Sequence, residues 1–65
     1  MTTEKQVADR AKELYGEDFE GMTIDKGNMT IGIGVNNIII ENFSKKDLDT
    51  IFKEIESVIN DVNRE

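Results

Sequence analysis

Between Met22 and Phe43 the apolar residues recur at every second position, and two dipeptides suited to tight reversal, Lys26-Gly27 and Asn36-Asn37, divide the stretch into three. A Lys26-Gly27 turn pairs Ile24 with Met29 and Met22 with Ile31. An Asn36-Asn37 turn pairs Val35 with Ile38 and Ile33 with Ile40. Both registers place Met22, Ile24, Met29, Ile31, Ile33, Val35, Ile38 and Ile40 on one face of one sheet. Because side chains alternate along a strand, a one-residue slip in either hairpin would turn a whole apolar set toward water. The pattern therefore predicts a three-stranded antiparallel meander with strands over about 22–25, 28–35 and 38–43.

The flanking segments change period. Thr3 followed by Gln6 fits a capping box, and Val7, Ala8, Ala11, Leu14 and Tyr15 recur at helical spacing, which predicts a helix over about 4–15 closed by Gly16. Glu17-Asp18-Phe19-Glu20-Gly21 is expected to form a loop. Beyond the strands, Ser44 with Asp47 reads as a cap, and Phe43 and Leu48 sit at the staple positions around it. Leu48, Phe52, Ile55, Ile59 and Val62 then step by three and four, with Ile51 and Val58 widening the stripe, over about 44–62. The expected fold is α+β, a single αβββα domain with both helices on one face of the sheet.

That architecture leaves surface over. Three strands at about 4.8 Å spacing make a sheet roughly 14 Å across, while two helices abreast need about 20 Å. In a simple meander the third strand is an edge, and Ile38-Ile39-Ile40 carries no Lys or Pro to block pairing. A homodimer through that edge or through the second helix is one expectation; an edge covered by the chain's own terminus is the other. The second face of the sheet is expected to carry Thr23, Asp25, Asn28, Thr30, Gly32, Gly34, Ile39, Glu41 and Phe43. Gly32 and Gly34 would leave a floor bare of side chains, which reads either as a shallow docking surface with Ile39 or as relief at a bulge.

With 65 residues, no Cys and no His, the chain lacks thiol nucleophiles, disulfides and the usual neutral-pH acid/base. Gly32-Ile33-Gly34 falls inside a strand and opens no helix, so it is not a phosphate loop. Asp47 and Asp49 suit the exposed N–H groups of a helix start, and Lys45 and Lys46 are expected to be solvated or to answer Glu41. Glu17, Asp18 and Glu20 have no calcium-loop spacing. The expectation is a non-enzymatic protein with no metal and no cofactor. A net charge of −6 argues against direct nucleic-acid binding. The absence of a signal-peptide pattern or a long apolar run leads to expectations of a cytoplasmic location and no membrane contact.

Charge is distributed unevenly. From Glu13 to Asp25 there are acids at Glu13, Glu17, Asp18, Glu20 and Asp25 and no base, so all 8 Lys and Arg lie elsewhere. Glu13 and Glu17 fall at the end of the first helix, where unpaired carbonyls disfavour anions. Asp25 falls at a hairpin tip, so the patch is Glu13, Glu17, Asp18 and Glu20. Phe19 stands among them, either as an anchor folded into the core or as an outward contact ringed by carboxylates. A localised acidic patch steers a basic partner. The reading is a small acidic protein-binding module or inhibitor that occupies a basic surface of a larger protein, such as a nucleic-acid-binding site. The alternative is a structural or regulatory homodimer with Ile38, Ile39, Ile40, Gly32 and Gly34 at its contact surface. In topology and composition the chain resembles small acidic phage-encoded inhibitors of host nucleases and defence systems, including some anti-CRISPR proteins. That resemblance implies inhibition by occupancy and transfers no functional residue.

Overall fold

The computed structural model describes residues 1–63, with side chains for residues 1–61. Helix α1 spans Glu4–Tyr15, strands β1, β2 and β3 span Phe19–Asp25, Asn28–Ile33 and Asn36–Ile40, and helix α2 spans Leu48–Asn63. Short 3-10 turns occupy Gly16–Asp18 and Phe43–Lys45. The sheet has the order β1-β2-β3 with both pairings antiparallel, so the α+β αβββα arrangement expected from the pattern is the one found. The stretch Glu17–Gly21, expected as loop, is instead a 3-10 turn that runs directly into β1 at Phe19.

The two hairpins differ in how they match the sequence. Lys26 and Gly27 both have positive φ, 53° and 82°, as a type I′ turn requires, and the first hairpin has the predicted register. In the second, the turn is Gly34-Val35 rather than Asn36-Asn37. Ile31 pairs with Ile38 and Ile33 with Asn36. Gly34 has φ +63° and Val35 does not share the positive sign, the arrangement of a type II′ turn with glycine first. The reversal comes two residues earlier than predicted. An even displacement preserves which face each side chain takes, so Met29, Ile31, Ile33, Ile38 and Ile40 still point together and are buried. Val35 is the casualty: it leaves the apolar face and stands in the turn, 95% exposed. Ile24 and Met22 lie toward the edge and are only partly covered.

Both helices cover that apolar face. Val7 and Ala11 of α1 and Ile51, Phe52 and Ile55 of α2 form one buried cluster with the five strand residues and Phe43. Leu48 and Ile59 pack against it while Val58 is 39% exposed; the side chain of Val62 lies outside the described residues. The helices run parallel. Thr2 N–H donates to the Ser44 carbonyl near both helix starts, and further along the Arg10 guanidinium lies over the Phe52 ring, 6.0 Å from its centroid.

At the helix starts, α1 has the full predicted capping box: Gln6 N–H donates to Thr3 Oγ1 and Thr3 N–H to Gln6 Oε1. Ser44 does not cap α2. Asn42 takes a left-handed conformation (φ 51°), which turns Phe43–Lys45 into a 3-10 turn and drives Phe43 into the core. The helix begins later, with Asp47 at its threshold: its carbonyl accepts from Ile51 N–H and its carboxylate from Thr50 Oγ1 at 2.7 Å. The hydroxyl of Thr2, itself buried, donates to the Lys46 carbonyl at 2.5 Å and closes this end. Lys46 answers Glu54, at 2.9 Å, rather than Glu41.

Candidate functional site

The far end of the domain is where the helices finish, β1 begins and β2 turns into β3. Gly16 ends α1 with φ +56° and its N–H returns to the Lys12 carbonyl. The 3-10 turn that follows is too tight to bury its side chains, so Glu17 and Asp18 project into water. The Asp18 carbonyl accepts from Gly34 N–H at 2.6 Å, which fastens this turn to the β2–β3 reversal. Val35 is therefore a neighbour of the acidic turn, an aliphatic side chain almost wholly in solvent beside carboxylates.

Phe19 resolves as the anchor. Its ring is half-buried against the core cluster, so it is not the outward contact of the acidic patch. Between Phe19 and Gly21 the register shifts: Phe19 faces Ile33, Gly21 faces Gly32, and Glu20 is the extra residue of a bulge. A Cβ built on Gly32 would stand 3.3 Å from the Glu20 Cβ, so Gly32 makes room for the bulged acid. Relief at a bulge is thus the reason for this glycine. Gly34 is a turn residue and not part of a bare sheet floor.

Structure adds a residue that sequence order hid. Tyr15 is half-buried, and its phenol is pushed above the ordinary range first by burial and then by the charge of Glu56. Glu56, from the middle of α2, therefore belongs to the same end as Glu13, Glu17 and Asp18. Parallel helices bring it there, and a helical phase carried along both helices from a common start would have suggested it. Leu14, 55% exposed in the last turn of α1, and Val58 are at this end as well. Asp9, further back on α1, is paired with Lys5 at 2.8 Å.

The remaining predicted contact residues separate. Ile38 and Ile40 point into the core and are unavailable to a partner, and Phe43, expected on the second face, is buried as well. Ile39 alone of the isoleucine triplet faces out, 65% exposed. It sits on the uncovered face of the sheet beside a shallow groove of about 410 Å³ lined by Glu20, Gly21, Thr23, Thr30, Gly32 and Asn37. Among the described residues no three Asp or Glu side chains gather as a metal ion would need, and no helix is long and apolar enough to cross a membrane. No family model matches the chain, and no curated protein or solved structure matches it.

Proposed function

We propose that the acidic end docks on a basic surface of a larger protein and acts by occupying it, without catalysis. The observation that carries this is the coincidence of two kinds of group. Glu13, Glu17, Asp18 and Glu56 share an end with Leu14, Val35 and Val58, half of the large apolar side chains exposed among the described residues. Carboxylates accelerate and orient the encounter, while apolar side chains desolvated between them supply affinity. Charge alone would suit a merely soluble surface.

The available chemistry supports occupancy over turnover. Tyr15, with its phenol held protonated by burial and by Glu56, is a poor base at neutral pH. A surface that accepts several carboxylates together is commonly one built to hold phosphates, so the preferred partner is a protein whose nucleic-acid-binding site this end would fill. That mode of action is the one used by small phage-encoded inhibitors of nucleases and defence systems.

The test is affinity capture from the source cells with the native domain and with Glu17→Lys, Asp18→Lys and Glu20→Lys combined. All three side chains are exposed, so the circular dichroism spectrum is expected to stay native while the partner is lost. Recovery of the same partner in the same yield by the reversed protein overturns the reading.

A further inference from the structure

We propose that the groove on the uncovered face of the sheet holds the side chain of an arginine, with the guanidinium between Glu20 and Asn37. Such a contact gives a chemistry to the basic partner proposed above, and it rests on that reading for the source of the arginine.

Cross-strand pairing builds the groove from two rows. Gly21 pairs with Gly32, and Gly32 with Asn37; one step along, Thr23 pairs with Thr30, and Thr30 with Ile39. These positions lie on the face away from the helices, because their neighbours Met22, Ile31 and Ile38 pack toward the core. The glycine row is a floor of bare peptide. A Cβ on Gly21 would meet no heavy atom within 4 Å, and one on Gly32 would meet the Glu20 Cβ at 3.3 Å and the Asn37 Oδ1 at 3.6 Å. Glu20, displaced by the bulge, and Asn37 therefore lean over the floor from opposite sides, a carboxylate from β1 and an amide oxygen from β3. Among the described residues neither side chain takes part in a hydrogen bond or an ion pair. None of the three strands carries a Lys or Arg that could answer Glu20 from within the sheet.

This arrangement fits one kind of ligand. Acceptors on both sides of a flat floor suit a planar donor with N–H groups along more than one edge, which a guanidinium has and the compact ammonium of lysine lacks. One carboxylate matches one positive charge. The second row suits the rest of the side chain. Thr23 and Thr30, each with a methyl group, and Ile39, 65% exposed, form a strip on which the arginine methylenes can lie. The groove is also within reach of a partner seated on the acidic end. Glu20 follows closely on Asp18, and Asn37 on Gly34, whose N–H is tied to the Asp18 carbonyl.

The experiment is an NMR titration of the isotopically labelled domain with N-acetyl-arginine methylamide, its lysine counterpart and its citrulline counterpart, which keeps the shape without the charge. The expected result is saturable shifts of the Gly21, Thr30, Gly32 and Asn37 amides with the arginine compound. Lysine is expected to bind about threefold more weakly or worse, and citrulline to give no shift. Glu20→Gln and Asn37→Ala, both at exposed positions, are each expected to weaken arginine binding by about threefold or more while the spectrum stays native. Glu17→Lys combined with Asp18→Lys is expected to leave the same amides shifting, which separates the groove from the acidic turn. No shift with arginine, equal binding by lysine or citrulline, or shifts confined to Glu17 and Asp18 overturn the proposal. Shifts at the groove on concentrating the domain alone, with none from arginine, overturn it in favour of a second copy. Partner capture without arginine binding overturns this inference only, and arginine binding with undiminished capture by the charge-reversed protein overturns only the reading above.

Discussion

Where the helices begin, distant segments are stitched together: Thr2 to the Ser44 and Lys46 carbonyls, Asn42 N–H to Asn28 Oδ1, and Phe43 N–H to the Gly27 carbonyl. Where they finish, the tie between distant segments among the described residues is Gly34 N–H to Asp18 O, with carboxylates and exposed aliphatics nearby. Hydrogen bonds between distant segments are thus concentrated at one end of a small domain, and the docking surface proposed above lies at the other. A surface can carry poorly placed charge only if the rest of the molecule holds the fold.

Mutations at the two ends should separate in kind. The largest effect is expected for Phe43→Ala at the stitched end. The ring is buried in the core cluster, and its loss should cost about 3–5 kcal/mol in denaturant unfolding. Thr2→Ala should come next, at about 1–3 kcal/mol, because the Lys46 carbonyl loses its buried donor. A value near zero for Thr2→Ala would mean that the stitching does not hold this end. At the acidic end, Gly34→Ala forces a Cβ into left-handed backbone and should cost about 1–2 kcal/mol, with the turn sliding toward Asn36-Asn37. Cross-strand nuclear Overhauser contacts between Ile33 and Ile40 would reveal that slide.

Asp47 gives a smaller effect, tied to pH. Its carboxyl is held below its ordinary value of 3.8, first by the Thr50 hydroxyl and then by backbone hydrogen bonding. A carboxyl with a lowered folded pKa stabilises the fold fully above the ordinary value and loses that contribution as pH falls through the lowered one. Acid unfolding of Asp47→Asn followed by circular dichroism should therefore lack the component the native protein shows below pH 3.8. The smallest effect on stability is expected for Val35→Ser, within about 0.5 kcal/mol, since the side chain touches almost nothing. Its effect on partner capture should be plain. If Val35→Ser binds the partner as well as the native domain, the apolar half of the docking argument fails.

Much of this molecule was legible because its faces were. Period two assigns Met29, Ile31, Ile33, Ile38 and Ile40 to one side whichever of two turns closes the hairpin. For the same reason it could not choose between Gly34-Val35 and Asn36-Asn37, which differ by an even step. Glycine in first place suits a type II′ turn, and an asparagine pair tolerates positive φ nearly as well, so turn chemistry alone did not decide. The consequence fell on Val35, which became a contact candidate in place of Phe19. The start of α2 was misplaced because Ser44 satisfied a cap motif, while the burial of Phe43 and the left-handed Asn42 made a 3-10 turn there instead. Glu56 was invisible for another reason: its neighbours at the acidic end are remote in sequence, and only the parallel packing of the helices joins them.

That parallel packing also makes the domain an electrical arrow. Aligned peptide groups give each helix roughly half a positive charge at its start and half a negative charge at its finish. Because α1 and α2 point the same way, the two fields add along a body 33 Å in length, and the negative pole of α1 coincides with Glu13, Glu17 and Asp18 while Glu56 stands two turns short of that of α2. Antiparallel helices would have cancelled. A cationic surface approached from solution would therefore exert a torque as well as an attraction, turning the acidic end forward before any side chain touched. Transient electric birefringence would measure that polarity directly, as a rotation governed by the long axis and reduced by the Glu17, Asp18 and Glu20 reversals.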